Sequence, residues 1–211
     1  MSTPSDPRLL VMHGLRLKGF GEAAAIAEAA DLPEAEVKPL LDELVSEGVA
    51  TYRDGRLSGF SLTKPGREAH AAALAEELDR AGARESVAAG YERFLGLNTD
   101  LLGICTAWQL RDPEGEATLN DHTDAAYDAD VVGRLGSLHN AVEPICADLG
   151  AALDRFRSYG PRLGHALARV QAGDVDWFTK PMIASYHTIW FEMHEDLLST
   201  LGIERGSEGG A

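Results

Sequence analysis

This sequence has only two cysteines, no long apolar run and no pattern typical of a secretory signal. Its two cysteines, Cys105 and Cys146, each lie in an apolar, helix-like stretch, so we expect them to be small buried residues in a reducing compartment. No run of 18 or more apolar residues is present, and the first residues lack the basic and then apolar pattern of a secretory signal. These absences predict a cytoplasmic protein that makes no contact with a membrane.

Positive charge is scarce as well. The chain has 19 Lys and Arg against 34 Asp and Glu, a formal net charge of −15, and so it repels polyanions at long range. Aromatic residues are few in the first part, where only Phe20, Tyr52 and Phe60 precede residue 90. This asymmetry favours two modules with different roles. We predict a first domain over residues 1–75, a helical domain over 76–204 and a flexible tail over 205–211.

The usual signatures of catalysis are missing. The sequence contains no Gly-rich phosphate loop, no Cys-x-x-Cys and no His-Glu-x-x-His, so we predict neither an enzyme nor a cofactor. His187 and His194 suggest a metal site at first sight. Seven residues of helix rise about 10.5 Å, however, whereas a zinc–nitrogen bond is only about 2.1 Å long. A metal shared by these two histidines is therefore not expected.

The first third of the chain contains clear helix and hairpin signals. Apolar periodicity, with glycine and proline marking the helix ends, predicts helices over residues 8–18, 22–30 and 33–47. Asp54-Gly55 then lies between two short alternating segments, which is typical of a two-residue hairpin turn. Thr63 is placed to cap a long helix with Pro65 in its first turn, and either Gly82 or Gly90 is expected to interrupt that helix.

The hairpin carries a resemblance to a known family. The turn Asp54-Gly55-Arg56, followed by the segments SLT and PGR, is similar to the wing of MarR-type transcription regulators. The resemblance covers about residues 8–75 and implies a winged helix-turn-helix that binds double-stranded DNA. It implies that Arg56 reaches a minor groove or a phosphate while Asp54 braces the turn. With charge and position added, the predicted DNA-binding residues are Lys38, Arg53, Arg56, Lys64 and Arg67.

The helix over residues 33–47 departs from that family pattern. Major-groove readers usually present Arg, Lys, Asn, Gln, Ser or Thr to base edges. Here Lys38 is the one cation among the positions expected to be exposed. Those positions are otherwise mostly acidic: Glu34, Glu36, Asp42, Glu43 and Glu47. The sequence therefore leaves open a second interpretation, in which the winged helix docks another protein.

The remainder of the chain is predicted to be a helical bundle, with helices near residues 98–110, 122–157, 160–172 and 180–201 and a loop over 111–121. In the last helix His187, Trp190 and His194 fall on one broad face. One interpretation is a packed core edge. The other is a small-molecule pocket between helices, and its predicted lining residues are Trp108, His139, His187, Trp190 and His194.

Taken together, the patterns predict a mainly α-helical chain in which a winged helix-turn-helix with a two-stranded wing precedes a helical bundle. The leading hypothesis is a homodimeric, MarR-like DNA-binding transcription regulator whose helical domain dimerises or senses a small-molecule effector. The alternative is a non-enzymatic accessory or regulatory subunit with a protein partner. An enzyme that uses the second-half pocket is a third hypothesis.

Overall fold

The computed structural model describes residues 3–111 and 117–203, and within them the chain is mainly helical with two short antiparallel two-stranded sheets. The predicted tail over 205–211 lies outside the described residues. The chain divides into two compact units. Among the described residues, the first unit contains residues 3–84, Leu153–Arg155 and residues 195–203. The second contains Glu85–Ala152 and Phe156–His194. The boundary predicted at residue 75 falls inside a helix of the first unit.

The first unit begins with three helices, a hairpin and a fourth helix, and the three predicted helices are confirmed. Asp6 starts the first of them by accepting hydrogen bonds from the backbone N–H groups of Arg8 and Leu9 at 2.9 and 3.2 Å. The elements in order are α1 (Pro7–Lys18), α2 (Ala23–Ala30), α3 (Glu34–Ser46), β1 (Ala50–Arg53), β2 (Gly59–Leu62) and α4 (Lys64–Arg80).

The hairpin differs from the predicted two-residue turn. Arg53 pairs with Gly59, so the connection is a five-residue loop over 54–58, in which the Ser58 hydroxyl donates to Asp54 at 3.2 Å. Gly21, between α1 and α2, also pairs with Phe60 through backbone hydrogen bonds of 3.1 and 2.8 Å. A Cβ atom on Gly59 would lie 2.9 Å from the Gly21 backbone. The close approach of these two segments therefore requires glycine at position 59.

The helices and the hairpin of the first unit enclose an apolar core. Leu41 and Leu44 of α3 are fully buried against it, because they lie on the apolar face of this amphipathic helix. Thr63 caps α4 as predicted, since its hydroxyl oxygen accepts from the Gly66 N–H at 3.1 Å. Other buried members of the core are Val11, Leu15, Ile26, Val37, Ala50 and Leu62.

Gly82 ends the long helix that was predicted from Thr63, because it adopts a positive φ of 59° that favours glycine. A new helix, α5 (Arg84–Gln109), follows and covers the predicted segment 98–110 except for Leu110. The later elements are β3 (Leu110–Arg111), β4 (Thr118–Leu119), α6 (Ala125–Ala152), a 3-10 helix (Asp154–Ser158), α7 (Tyr159–Gln171), α8 (Asp176–Thr179) and α9 (Tyr186–Leu201).

Three predictions for the second part need correction. The predicted loop 111–121 overlaps the short β3–β4 pair, in which Arg111 is opposite Thr118 and Leu110 is opposite Leu119. The predicted helix 122–157 begins later and ends at Ala152. The predicted helix 180–201 begins at Tyr186 instead, after a segment in which Met182 adopts a φ of 68° that a helix does not allow. Across residues 3–111 and 117–203, no helix combines the length and the apolar character needed to cross a membrane.

Candidate functional site

The exposed side of α3 is acidic. Val37, Leu41 and Leu44 are buried, which turns the charged positions of the helix toward solvent. Lys38 is exposed there. The exposed carboxylates on and immediately after this helix are Glu34, Glu36, Asp42, Glu43 and Glu47. The structure thus confirms the exposure predicted for these residues.

One neighbouring cation is already engaged with the end of this helix. Arg8 of α1 contacts the Glu47 carboxylate with both terminal nitrogens, one of them at 3.3 Å, and lies 3.9 Å from Glu43. The pair is partly exposed, so its contribution to stability is modest, about 0–1 kcal/mol. Its effect on the surface is to offset part of the negative charge at the C-terminal end of α3, while the N-terminal end keeps its carboxylates.

The predicted DNA-binding cations other than Lys38 lie on the hairpin and at the start of α4. Arg53 and Arg56 are exposed, and the Arg53 guanidinium lies 5.8 Å from the centre of the Phe20 ring. Lys64 is exposed at the first position of α4. Arg67 donates a hydrogen bond to the Leu62 carbonyl at 3.0 Å, so part of its guanidinium secures the hairpin to the helix.

A groove of about 500 Å³ lies where α2, α3 and the hairpin meet. Its apolar surface includes Val45 and the paired rings of Tyr52 and Phe60, whose centres are 4.8 Å apart. The charged side chains that line it are Glu22, Glu34, Lys38 and Asp42. The groove thus combines an aromatic patch with three carboxylates and one ammonium group.

Two of the residues predicted to line a pocket in the second unit are packed around one ring. Trp190 stacks on Phe94 at 4.4 Å between ring centres, and its indole N–H donates to Asn98 at 3.1 Å. His194 lies 5.6 Å from the same Phe94 ring. Both residues are buried, as the core-edge interpretation requires.

Trp108 belongs to a different ring cluster. It stacks on Phe178 with ring centres 4.4 Å apart and an interplanar angle of 12°. Its other neighbour is His122, also at 4.4 Å, and the His122 ring nitrogen lies 2.9 Å from the Asp128 carboxylate. Trp108 is thus buried among side chains of its own cluster rather than grouped with Trp190.

The two remaining predicted residues are half-buried histidines. His139 lines a cavity of about 510 Å³ beside Glu143, Cys146 and Arg157, and its Nδ1 lies 3.3 Å from the Tyr186 hydroxyl. Burial lowers the pKa of His139, although the Glu143 carboxylate acts in the opposite direction. Burial also lowers the pKa of His187. The five predicted residues are therefore distributed over several sites rather than gathered in one.

The cysteines offer little chemistry. Cys105 and Cys146 are free and buried, as predicted. Burial raises the pKa of both thiols to about 12, so the thiolate that reacts or binds metal is scarce at neutral pH. Across the two described ranges, no group of three or more His, Cys, Asp or Glu side chains is arranged to hold a metal ion.

A chain of buried ionisable side chains in the first unit was missed by sequence reasoning. Arg155 donates to Glu77 at 2.9 Å and also to Asp196. Asp196 lies 3.1 Å from His13 Nε2, and His13 Nδ1 lies 3.0 Å from His70 Nε2. We call these five residues the buried ionic chain. The one available signal is an ionisable residue on an otherwise apolar helix face, as at His13 in α1.

The electrostatics of the buried ionic chain follow from its burial and its internal charges. Burial alone would raise the pKa of the Asp196 carboxyl, but Arg155 and His13 outweigh burial and hold that pKa well below its usual range. Burial, reinforced by His13 and Arg155, lowers the pKa of His70 to about 3. His70 is therefore neutral at physiological pH, while Asp196 is ionised.

Comparisons of this chain with protein-family models, with curated proteins and with solved structures found no match.

Proposed function

We propose that this chain is a non-enzymatic regulatory or accessory protein whose first unit is a winged helix-turn-helix module that docks another protein. Three features support the winged arrangement. Helices α1 to α3 precede an antiparallel hairpin. Gly21 pairs with Phe60 of that hairpin. The helices and the hairpin together enclose one apolar core. In the DNA-binding version of this fold α3 is the helix that enters the major groove.

The acidity of α3 is the observation that carries the docking proposal. A helix in the major groove brings its exposed side chains close to phosphates. A carboxylate about 6 Å from a phosphate is repelled by about 1–3 kcal/mol, depending on how well water screens the pair. Of the exposed side chains on α3, Lys38 is cationic, whereas Glu34, Glu36, Asp42 and Glu43 are anionic. A surface of this composition favours a protein partner over a polyanion.

The second candidate function is a MarR-like DNA-binding transcription regulator. It is favoured by the exposed cations of the hairpin region, Arg53, Arg56 and Lys64, which could contact phosphates without base readout. In that case a homodimer would present two such hairpins, and a small-molecule effector bound in the helical domain would change their spacing. The two candidates differ in which surface meets the partner, the hairpin tip or the face of α3.

Binding measurements with the purified full chain distinguish the two candidates. We expect duplex DNA from its own upstream region to show no salt-dependent binding by fluorescence anisotropy at about 50 mM salt. We expect a protein partner to co-purify in stoichiometric amount with the wild type. That partner should be lost when Glu34→Lys and Asp42→Lys are combined. The matched control combines Glu92→Lys and Asp130→Lys, which adds the same charge at exposed positions of the second unit and should keep the partner.

Two results together would overturn the docking proposal in favour of DNA binding. The affinity would have to fall linearly with salt on logarithmic axes, as phosphate contacts require. Arg56→Ala would also have to reduce that affinity, because Arg56 lies in the exposed hairpin loop. Both results together would establish the regulator in place of the docking protein.

A further inference from the structure

We propose that the groove between α2, α3 and the hairpin binds an arginine-containing, cationic segment of the partner that also carries at least one apolar side chain. This inference rests on the docking function proposed above and adds the chemistry of the partner. The groove is the one lined by Glu22, Glu34, Lys38 and Asp42 together with Val45, Tyr52 and Phe60.

The apolar part of the groove supplies the anchor. Tyr52 leaves 47% of its surface exposed although it stands beside Phe60, with ring centres 4.8 Å apart. Tyrosine is one of the residues that most often dominate binding energy at interfaces, because its ring buries a large apolar area and loses little conformational entropy. A partner side chain laid across Tyr52 and Val45 would remove that apolar area from water.

The charges of the groove select a cation. Three carboxylates, from Glu22, Glu34 and Asp42, line it with one ammonium group from Lys38, which leaves a local charge of −2. Arginine suits this combination better than lysine, because its planar guanidinium pairs with carboxylates through two hydrogen bonds and also stacks on aromatic rings. The expected partner segment therefore presents arginine to the carboxylates and an apolar side chain to Tyr52.

Neither the rest of this chain nor DNA is a suitable occupant. The segments outside the described residues include DPEGE at 112–116 and ERGSEGGA at 204–211, and both carry more acidic than basic residues. A second copy of a chain with a net charge of −15 is repelled in the same way, as is duplex DNA. Charge complementarity thus points to a different, cationic protein chain.

The test uses the purified full chain and short fluorescent peptides of equal length. One peptide alternates Arg with Leu, and a second replaces every Arg by Glu. We expect the first to bind with an affinity that falls as salt is raised, and the second to show no binding. Tyr52→Ala is expected to weaken binding by about tenfold or more, as truncation of an interface anchor does. Leu57→Ala is the matched control, because Leu57 is 76% exposed in the hairpin loop and does not line the groove.

Lys38→Gln is the most informative variant, because the direction of the change in affinity depends on what binds in the groove. Removal of this cation should strengthen binding of the Arg-Leu peptide, by about threefold to tenfold for one less like charge in the groove. The same change would weaken binding of DNA. The double variant Glu34→Gln and Asp42→Asn should weaken peptide binding and reduce its salt dependence. Circular dichroism checks that each variant is folded.

The outcomes separate this inference from the docking function. The inference is overturned if the Arg-Leu peptide fails to bind to the wild type. It is also overturned if Tyr52→Ala and Lys38→Gln both bind the peptide as well as the wild type does. The docking function would still stand if a partner co-purifies in a manner that depends on Glu34 and Asp42. If duplex DNA binds and the double variant Glu34→Gln and Asp42→Asn strengthens that binding, both the inference and the docking function are overturned.

Discussion

Both units have buried apolar side chains, but different interactions connect their distant helices. In the first unit the buried ionic chain joins side chains of α1, α4, the short segment Leu153–Arg155 and the C-terminal part of α9. In the second unit rings stack on one another instead, as in the pairs Phe94–Trp190 and Trp108–Phe178. Both arrangements connect helices that are distant in the sequence.

The difference determines how each unit responds to change. Burying charges is costly, and their attraction compensates only when every partner is present and well oriented. A stacked pair of rings keeps most of its burial energy after a moderate change of shape. We therefore expect the first unit to be sensitive to single side-chain changes and to protons, and the second unit to be more tolerant. The following predictions test that contrast.

The largest expected effect comes from Arg155→Ala in the first unit. This change leaves Glu77 and Asp196 buried without their shared cation, so we expect the free energy of unfolding to fall by about 3–5 kcal/mol. Amide hydrogen exchange in α1 and α4 measures the effect in the first unit. Tryptophan fluorescence reports on the other unit, since all three tryptophans, at positions 108, 177 and 190, belong to it.

Arg84→Ala is the matched control for this prediction. Arg84 pairs with Asp79 at 3.1 Å in the same unit, but both side chains are more than half exposed. An exposed pair contributes about 0–1 kcal/mol, so hydrogen exchange should change little. If Arg84→Ala and Arg155→Ala lowered the free energy of unfolding equally, burial would not make the ionic chain more sensitive than an exposed ion pair. The contrast between the units would then fail.

The second expected effect is a dependence of stability on pH that arises at His70. Its pKa is about 6.5 in the unfolded chain and about 3 in the folded one. Between these values the unfolded state binds the extra proton, so this stabilisation is complete above pH 6.5 and declines as the pH falls toward 3. The loss is about 1.4 kcal/mol per pH unit, or about 2 kcal/mol between pH 6.5 and 5.

The contribution of His70 is isolated by comparing variants. His70→Gln removes the titrating ring and should flatten the decline in unfolding free energy between pH 6.5 and 5, measured by urea titration at each pH. His187→Gln in the second unit should flatten the decline less. The pKa of His187 is also lowered by burial, but its ring is only half-buried. Equal changes in the two variants would place the proton sensitivity in both units alike.

Local signals in the sequence were sufficient for the first helices. The cap at Thr63 acts within three residues of its own position, so the sequence alone predicts it. The hairpin loop was predicted incorrectly because its length depends on a distant contact. Asp54-Gly55 favours a two-residue turn, yet β2 is positioned by the pairing of Phe60 with Gly21. Local turn chemistry cannot reveal that contact.

The candidate sites show the same limit. The sequence correctly indicated that α3 exposes carboxylates, because a helical period determines which side chains face the core. It did not indicate that Tyr52 joins Glu34 and Asp42 in one groove, since strand and helix meet only in the folded chain. The buried ionic chain was missed for the same reason: His13 and Asp196 are adjacent in space but nearly the whole chain apart in sequence.

The smallest expected effect comes from Phe94→Leu in the second unit. Leucine still fills most of the buried site, so the change removes chiefly the stacking on Trp190, which is worth about 0.5–1.5 kcal/mol beyond the buried area. We expect a loss of about 1–2 kcal/mol, measured by urea unfolding followed by tryptophan fluorescence. Phe191→Leu, at a side chain that is 44% exposed on α9, serves as the control and should cost about 0.5 kcal/mol or less. A loss above about 3 kcal/mol for Phe94→Leu would mean that the ring stack tolerates change as poorly as the buried ionic chain, because shape alone would then be as restrictive as paired charge.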